Sequence, residues 1–239
     1  MNKKGFTLVE ILITVVVAAV IMAAVYGLMT MAQRTSSSTD RRVITQQDTR
    51  SVLHFMAMEI RMASFNTLYE LNLWAGNGLD LPGIPTCWNV SDITNAHKGI
   101  QRATANELVF AMDLDGDGEF TSDNEYIRYH YDDATKKLSR AAMTDGACGE
   151  AQDILGGDGF TNIMEGNGGV PMFRYFSATN EMGGASGNSM DIRAIRRILI
   201  TIVSETASKD SNTGNPKRMV HSTNVIVRNH VLSLPRIMQ

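Results

Sequence analysis

The stretch MNKKGFTLVEILITVVVAAVIMAAVYGLMTMA, residues 1–32, decides the fold of this chain. From Ile11 to Gln33 no residue is charged, and nearly every position is Val, Ile, Leu, Ala or Met. A run of about 20 apolar residues is long enough to cross a bilayer as a helix. We therefore predict a membrane-inserted helix at the N-terminus.

Glu10 is the residue that a plain membrane anchor does not explain. A carboxylate in the middle of a membrane helix costs roughly 2–3 kcal/mol, and less near an interface, so it indicates a function by default. A secretory signal also fits poorly. Such signals have an apolar stretch of about 7–15 residues before a small-residue cleavage site. Thr30-Met31-Ala32 is only a weak match to such a site, and the apolar run is too long.

The segment KKGFTLVE, residues 3–10, resembles the processing site of type IV prepilins and of the related pseudopilins of type II secretion. The resemblance implies that prepilin peptidase cuts between Gly5 and Phe6 and methylates the new N-terminus of Phe6. It also implies assembly with other pilins through the N-terminal helix. Glu10 would then pair with the Phe6 amine of a neighbouring subunit, because a carboxylate buried among apolar helices needs a positive partner.

Lys3 and Lys4 indicate how the chain is oriented, because positive residues beside a membrane span stay on the cytoplasmic side. We expect a single-pass protein of the bacterial inner membrane with a periplasmic C-terminal domain. It would later join a pilus or pseudopilus filament, near the tip. The expected partners are prepilin peptidase, other pilins, the inner-membrane assembly platform and, before assembly, membrane lipid.

Composition and motifs argue against two other classes of protein. The 239 residues carry a formal net charge of -3, which gives no electrostatic reason to expect a nucleic-acid partner. HExxH, GxSxG and Walker A motifs are absent from the sequence, and no GxGxxG precedes a predicted strand. We therefore predict that the chain is not an enzyme.

The predicted organisation has four parts. A continuous helix from Phe6 to about Ser64 would be on the order of 90 Å long. The stretch TSSSTD, residues 35–40, is either a loop or a weak part of that helix. The predicted parts are a cleaved leader (1–5), a transmembrane and assembly helix (6–34), its amphipathic continuation (35–66) and a globular β-rich domain (67–239).

The second half of the predicted helix has one apolar face. That face comprises Val43, Leu53, Met56, Ala57, Ile60 and Ala63, and the residues expected elsewhere are Arg41, Gln46, Arg50, Glu59 and Arg61. The segment QQDTRSVLHFMAMEIRMASFN, residues 46–66, resembles PilW-type minor pilins and the J-type minor pseudopilin. The residues on which this resemblance rests are Arg50, Leu53, Glu59, Ile60, Arg61 and Ala63.

The remainder of the chain is typical of strands separated by Gly-, Asn- and Ser-rich turns. The predicted strands are ELVFAMD (107–113), EYIRYHYD (125–132), KKLSRAAM (136–143), MFRYFSA (172–178), AIRRILITIVSET (194–206) and NVIVRNHVLS (224–233). The predicted fold class is therefore α+β and pilin-like, with a long N-terminal helix packed on an antiparallel sheet meander.

The segment DLDGDGEFTSDNE, residues 113–125, has the alternating carboxylates of a calcium loop of the EF-hand type. The flanks are predicted strands rather than helices, and position twelve is Asn124, one residue before Glu125. A solvated acidic hairpin turn is the alternative, since Asp-Gly pairs favour turns. The candidate calcium ligands are Asp113, Asp115, Asp117, the carbonyl of Glu119, and Asp123 or Glu125.

The two cysteines, Cys87 and Cys148, lie in Gly- and Pro-rich surroundings typical of loops. In an extracytoplasmic domain they could form one disulfide, and the alternative is two separate thiols.

Together these features lead to one functional prediction and two alternatives. The prediction is a PilW-like minor type IV pilin that joins a pilus or primes its assembly. The first alternative is a J-type minor pseudopilin. The second, from another class, is a membrane-anchored calcium-dependent binding or adhesin domain.

Overall fold

The computed structural model describes residues 5–65, 99–117, 122–157, 159–178, 180–182, 192–210 and 213–231. The helices are α1 (Leu8–Met62) and the short α2 (Arg228–Val231). The strands are β1 (Ile100–Ala103), β2 (Glu107–Ala111), β3 (Tyr126–Asp132), β4 (Lys137–Thr144), β5 (Ala147–Cys148), β6 (Gln152–Leu155), β7 (Thr161–Ile163), β8 (Phe173–Phe176), β9 (Glu181–Met182), β10 (Arg197–Thr206) and β11 (Arg218–Ile226).

The α1 helix confirms the prediction of one continuous helix, and its 55 residues span about 80 Å. It passes through residues 35–40 without a break, so this stretch is not a loop. Ser37 Oγ donates to the carbonyl of Arg34 (3.1 Å), and Thr39 Oγ1 donates to that of Thr35 (3.0 Å). These short side chains are satisfied by the preceding helical turn, which allows polar residues to continue the helix.

The second half of α1 supplies one wall of the core. Leu53, Met56, Ala57 and Ile60 are buried there, as the apolar pattern predicts, and Ala63 follows them just beyond the helix end.

The prediction that Val43 lies on the same face is wrong, because this residue is 43% exposed. Thr45 and Thr49 are buried at this level instead. Thr49 Oγ1 lies 2.8 Å from the Thr45 carbonyl and 3.0 Å from Ser204 Oγ. Around Thr45 and Thr49 the helix is therefore joined to β10 by hydroxyl groups, which an apolar pattern does not detect.

The first sheet is six-stranded and antiparallel, with β1, β2, β3 and β4 in sequence order. Both β5 and β6 pair with β4. Asp132 is the last residue of β3 and Asp133 lies in the turn to β4, where Asp132 Oδ1 accepts the backbone N–H of Ala134 at 2.9 Å. The β2–β3 connection is longer. It leaves the ladder at the Ala111–Tyr126 pair and comprises residues 112–125.

The second sheet is five-stranded and is built around β10, which pairs with β11 on one side and with β7 and β8 on the other. The predicted single meander is thus two sheets. The predicted strand at 224–233 was also wrong in its bounds. In the antiparallel register Glu205 faces Arg218 and Arg197 faces Ile226, so β11 runs back along β10 and ends where β10 begins. Residues 228–231 form α2 instead.

Glu59 joins α1 to the first sheet. Its carboxylate accepts hydrogen bonds from Arg140 Nε (3.0 Å) and Nη2 (2.8 Å), and from the hydroxyl of Tyr129. The two charged side chains are only 16–17% exposed, and the Arg140 guanidinium lies over the Phe55 ring. Burial and the charge of Glu59 raise the pKa of Tyr129, which keeps its hydroxyl a donor.

The prediction that Glu59 lies away from the packed face was therefore wrong. The spacing of Glu59 could have indicated this position. Glu59 is three residues after Met56 and four before Ala63, which places it at the edge of the buried stripe.

We expect Glu59→Ala to destabilise the fold, because it leaves the largely buried charge of Arg140 without its carboxylate partner. Breaking such a pair costs about 3 kcal/mol. For a chain of this size that loss lowers Tm by roughly 6–12 °C, measurable by thermal denaturation of the full chain in detergent. Glu165→Ala is the control, because Glu165 is 78% exposed and its pair with Lys136 spans 3.4 Å. Equal shifts in the two variants would contradict the assigned role.

Candidate functional site

The N-terminal segment of α1 presents an apolar surface that no described part of the chain covers. Every residue from Gly5 to Met29 is exposed, and the Phe6 side chain is 86% exposed. In the part of the chain that the structure describes, α1 is the one helix long and apolar enough to cross a membrane. Exposed apolar surfaces of this size mark contact with a membrane or with another protein.

Glu10 lies in the first turn of this helix and forms a reciprocal cap with Thr7. Its Oε2 accepts the backbone N–H of Thr7 at 2.9 Å and the Thr7 hydroxyl at 3.0 Å. The Glu10 N–H in turn reaches Thr7 Oγ1 at 3.3 Å. A capping box of this kind satisfies two helix-end donors at once.

The two oxygens of Glu10 are used differently. Both hydrogen bonds from Thr7 end on Oε2, and no described residue donates to Oε1. Phe6 directly precedes the capping residue, at the tip of the helix. One carboxylate oxygen can therefore keep the helix end in shape while the other accepts a further donor.

The second candidate site is the acidic loop, residues 112–125, between β2 and β3. Carboxylate oxygens of Asp113, Asp115 and Asp117 lie within 4.8 Å of one another. Asp113 is fully buried, whereas Asp115 and Asp117 are exposed. Hydrogen bonds from Ser122 Oγ and from the Asp117 N–H hold the pKa of Asp115 below its usual value. Three of the sequence-predicted calcium ligands are thus brought together.

Glu125 and Asp123 hold the loop in shape. Glu125 is fully buried, and its carboxylate accepts the N–H groups of Leu114 (2.8 Å), Asp115 (3.4 Å) and Ser122 (3.0 Å). Burial nevertheless raises the pKa of Glu125 above its usual value. Asp123 Oδ1 accepts the N–H of Asp145 at 2.8 Å. These two carboxylates thus join the two ends of the loop and tie it to the β4–β5 turn.

Glu119 and Cys87 lie outside the described residues. Cys148, at the end of β5, is disulfide-bonded, and Cys87 is the only other cysteine in the sequence. The pairing of Cys87 with Cys148 stays a prediction.

The acidic loop is also tied directly to the end of α1. The N–H of Ser64 donates to the Ala111 carbonyl at 3.0 Å, and the N–H of Asp113 donates to the Phe65 carbonyl at 3.0 Å. The first candidate ligand therefore lies where the long helix meets the sheet. The sequence offered no signal for this placement, because it depends on how the helix end and β2 meet.

Comparison with known proteins identifies the N-terminal segment. Residues 1–26 match the family model for the prokaryotic N-terminal methylation motif, which is the signature of type IV prepilins. No curated protein and no solved structure matches the chain.

The motif and the fold together define a class. The chain carries the prepilin signature on a long apolar helix, followed by antiparallel sheets in a pilin-like α+β arrangement. These features support placing it in the type IV pilin and pseudopilin class, whose members are substrates of prepilin peptidase. Proteins of this class are structural subunits, anchored in the membrane by the N-terminal helix and then assembled with other pilins.

We expect the disulfide to join Cys87 and Cys148. Non-reduced proteolysis and mass spectrometry should give one linked peptide pair containing both residues. Closing a loop of about 60 residues stabilises the fold by roughly 4 kcal/mol in the chain-entropy model. Reductant should therefore lower the Tm of the natural chain. A double Cys→Ser variant is the control and should melt at the same temperature with or without reductant. Alkylation of both thiols before reduction would contradict the pairing.

Proposed function

We propose that this chain is a minor type IV pilin of the PilW type. Prepilin peptidase cuts it between Gly5 and Phe6, and its globular domain lies in the periplasm. The subunit then enters a pilus at or near the tip, or primes the assembly of one. The observation that carries the proposal is that Glu10 Oε1 accepts no hydrogen bond from any described residue. This carboxylate lies on an apolar helix surface that the rest of the described chain leaves uncovered.

The chemistry of assembly follows from that state. Cleavage after Gly5 would make the Phe6 nitrogen a charged amine. In a bundle of apolar helices the effective dielectric constant is low, so an unpaired carboxylate or amine is costly. Pairing Glu10 Oε1 of one subunit with the Phe6 amine of the next removes both costs. A neighbour displaced along the bundle would leave both charges unpaired, so this pair sets the axial register between subunits.

The subtype rests on the helix segment before the globular domain. The likeness of residues 46–66 to PilW-type minor pilins includes the acidic residue at Glu59. The pairing of Glu59 with Arg140 supports the assignment, because it gives that acidic position a structural role in joining the helix to the sheet.

The test is a Glu10→Ala variant compared with Thr14→Ala in the same membrane helix. Thr14 is a suitable control because its hydroxyl donates to the Ile11 carbonyl of its own helix, at 2.8 Å. Both variants should insert in the membrane. We expect Glu10→Ala to reduce incorporation into sheared filaments about tenfold or more, since even 1.4 kcal/mol of lost pairing is a factor of ten in an equilibrium, while Thr14→Ala incorporates normally.

Immunoblots of the membrane and filament fractions measure the outcome. If the helix serves only to anchor a binding or adhesin domain, Glu10→Ala will behave like Thr14→Ala in every fraction. That result would overturn the proposal.

A further inference from the structure

We propose that the acidic loop binds one calcium ion through the carboxylates of Asp113, Asp115 and Asp117. The proposal concerns a site in the globular domain and does not rest on the function proposed for the N-terminal helix.

The first observation is the spacing of the three carboxylates. Their oxygens lie within 4.8 Å of one another. Calcium binds oxygen ligands at about 2.3–2.6 Å, so two ligands on opposite sides of one ion are about 4.8 Å apart. All three side chains can therefore reach a single ion without a rearrangement of the loop backbone. Without a cation, three negative charges at this separation repel one another.

The second observation is independent of the cluster and concerns Asp113 alone. Its Oδ1 accepts the N–H of Gly116 at 2.7 Å, but its buried Oδ2 has no hydrogen-bond partner. It is the one carboxylate oxygen in the described chain that is both buried and unbonded. Buried polar atoms without a partner are rare and costly in folded proteins. A cation held between the aspartates supplies the missing partner.

The chemistry of the loop favours calcium over other metals. Residues 113–125 contain neither His nor Cys, the usual ligands of zinc. Calcium accepts six to eight oxygens in an irregular arrangement, whereas magnesium requires a near-ideal octahedron. Asp115 and Asp117 are exposed. The ion could therefore enter from solvent and complete its shell with water.

An ion at this position would stiffen the junction between helix and sheet. The N–H of Asp113 bonds the carbonyl of Phe65, next to the end of α1. At the other end of the loop, Asn124 Oδ1 accepts a hydrogen bond from Arg140 at 2.9 Å, and Arg140 pairs with Glu59 of α1. Both ends of the loop therefore contact the helix or its ion pair, and calcium should stabilise the whole domain.

The experiment is calorimetric titration of CaCl2 into the full chain, purified in detergent and stripped of metal with EGTA. We expect one ion per chain, with a dissociation constant between about 10⁻⁶ and 10⁻³ M. Calcium at about 100 times that constant should raise Tm by roughly 5 °C or more. MgCl2 should bind about tenfold more weakly or not at all.

Asp117→Asn is the diagnostic variant, because Asp117 is exposed and its loss should leave the fold intact. It should weaken calcium binding about tenfold or more. Asp153→Asn is the matched control, because Asp153 pairs with Lys137 on the surface of β6 and should leave binding unchanged. No saturable binding up to about 10 mM calcium, well above the range of extracellular calcium sites, would overturn the proposal. Equal affinities in the two variants, or equal affinities for calcium and magnesium, would also do so.

Discussion

The dominant constraint on this molecule is an apolar helix surface that its own described chain does not cover. Side chains from Leu8 to Met29 are exposed on all sides of α1, and water is an unfavourable environment for them. Lipid and the apolar helices of other subunits are the two environments that satisfy this surface. Glu10 distinguishes between them, because lipid offers no partner for a carboxylate whereas a neighbouring subunit can offer an amine. In the function proposed above, this helix also carries the globular domain outside the membrane.

The two halves of α1 differ in how their apolar and acidic side chains are used. The first half keeps its apolar residues free and holds Glu10 by Oε2 alone. The second half buries its apolar stripe against the sheets and pairs Glu59 with Arg140 within the same chain. Of these two acidic residues, Glu59 is paired within the chain, whereas Glu10 keeps its Oε1 for a partner. The contacts of Glu59 with Arg140 and Tyr129 join the second half of α1 to the first sheet.

Sequence patterns predicted the parts of this fold that depend on local rules. The membrane helix follows from one long uncharged run, and β2, β3, β4 and β10 follow from apolar alternation between turn residues. What depends on tertiary contacts was missed. Glu59 was placed on the solvent side because its partner Arg140 is 81 residues away. Val43 is apolar but exposed, and the buried positions near it are Thr45 and Thr49, which an apolar pattern does not select. The clustering of Asp113, Asp115 and Asp117 was predicted from their spacing, but the burial of Asp113 at the helix end was not.

The measurement that tests the central claim most directly is intact-mass and N-terminal peptide analysis of the chain isolated from membranes. Our account predicts a chain that begins at Phe6, with one methyl group on its amine and residues 1–5 removed. That product would supply the charged amine that the unbonded oxygen of Glu10 requires. A chain that still begins at Met1 would show that the leader is not processed, and one that begins at Gln33 would show that the helix is a secretory signal. Either result would contradict the account.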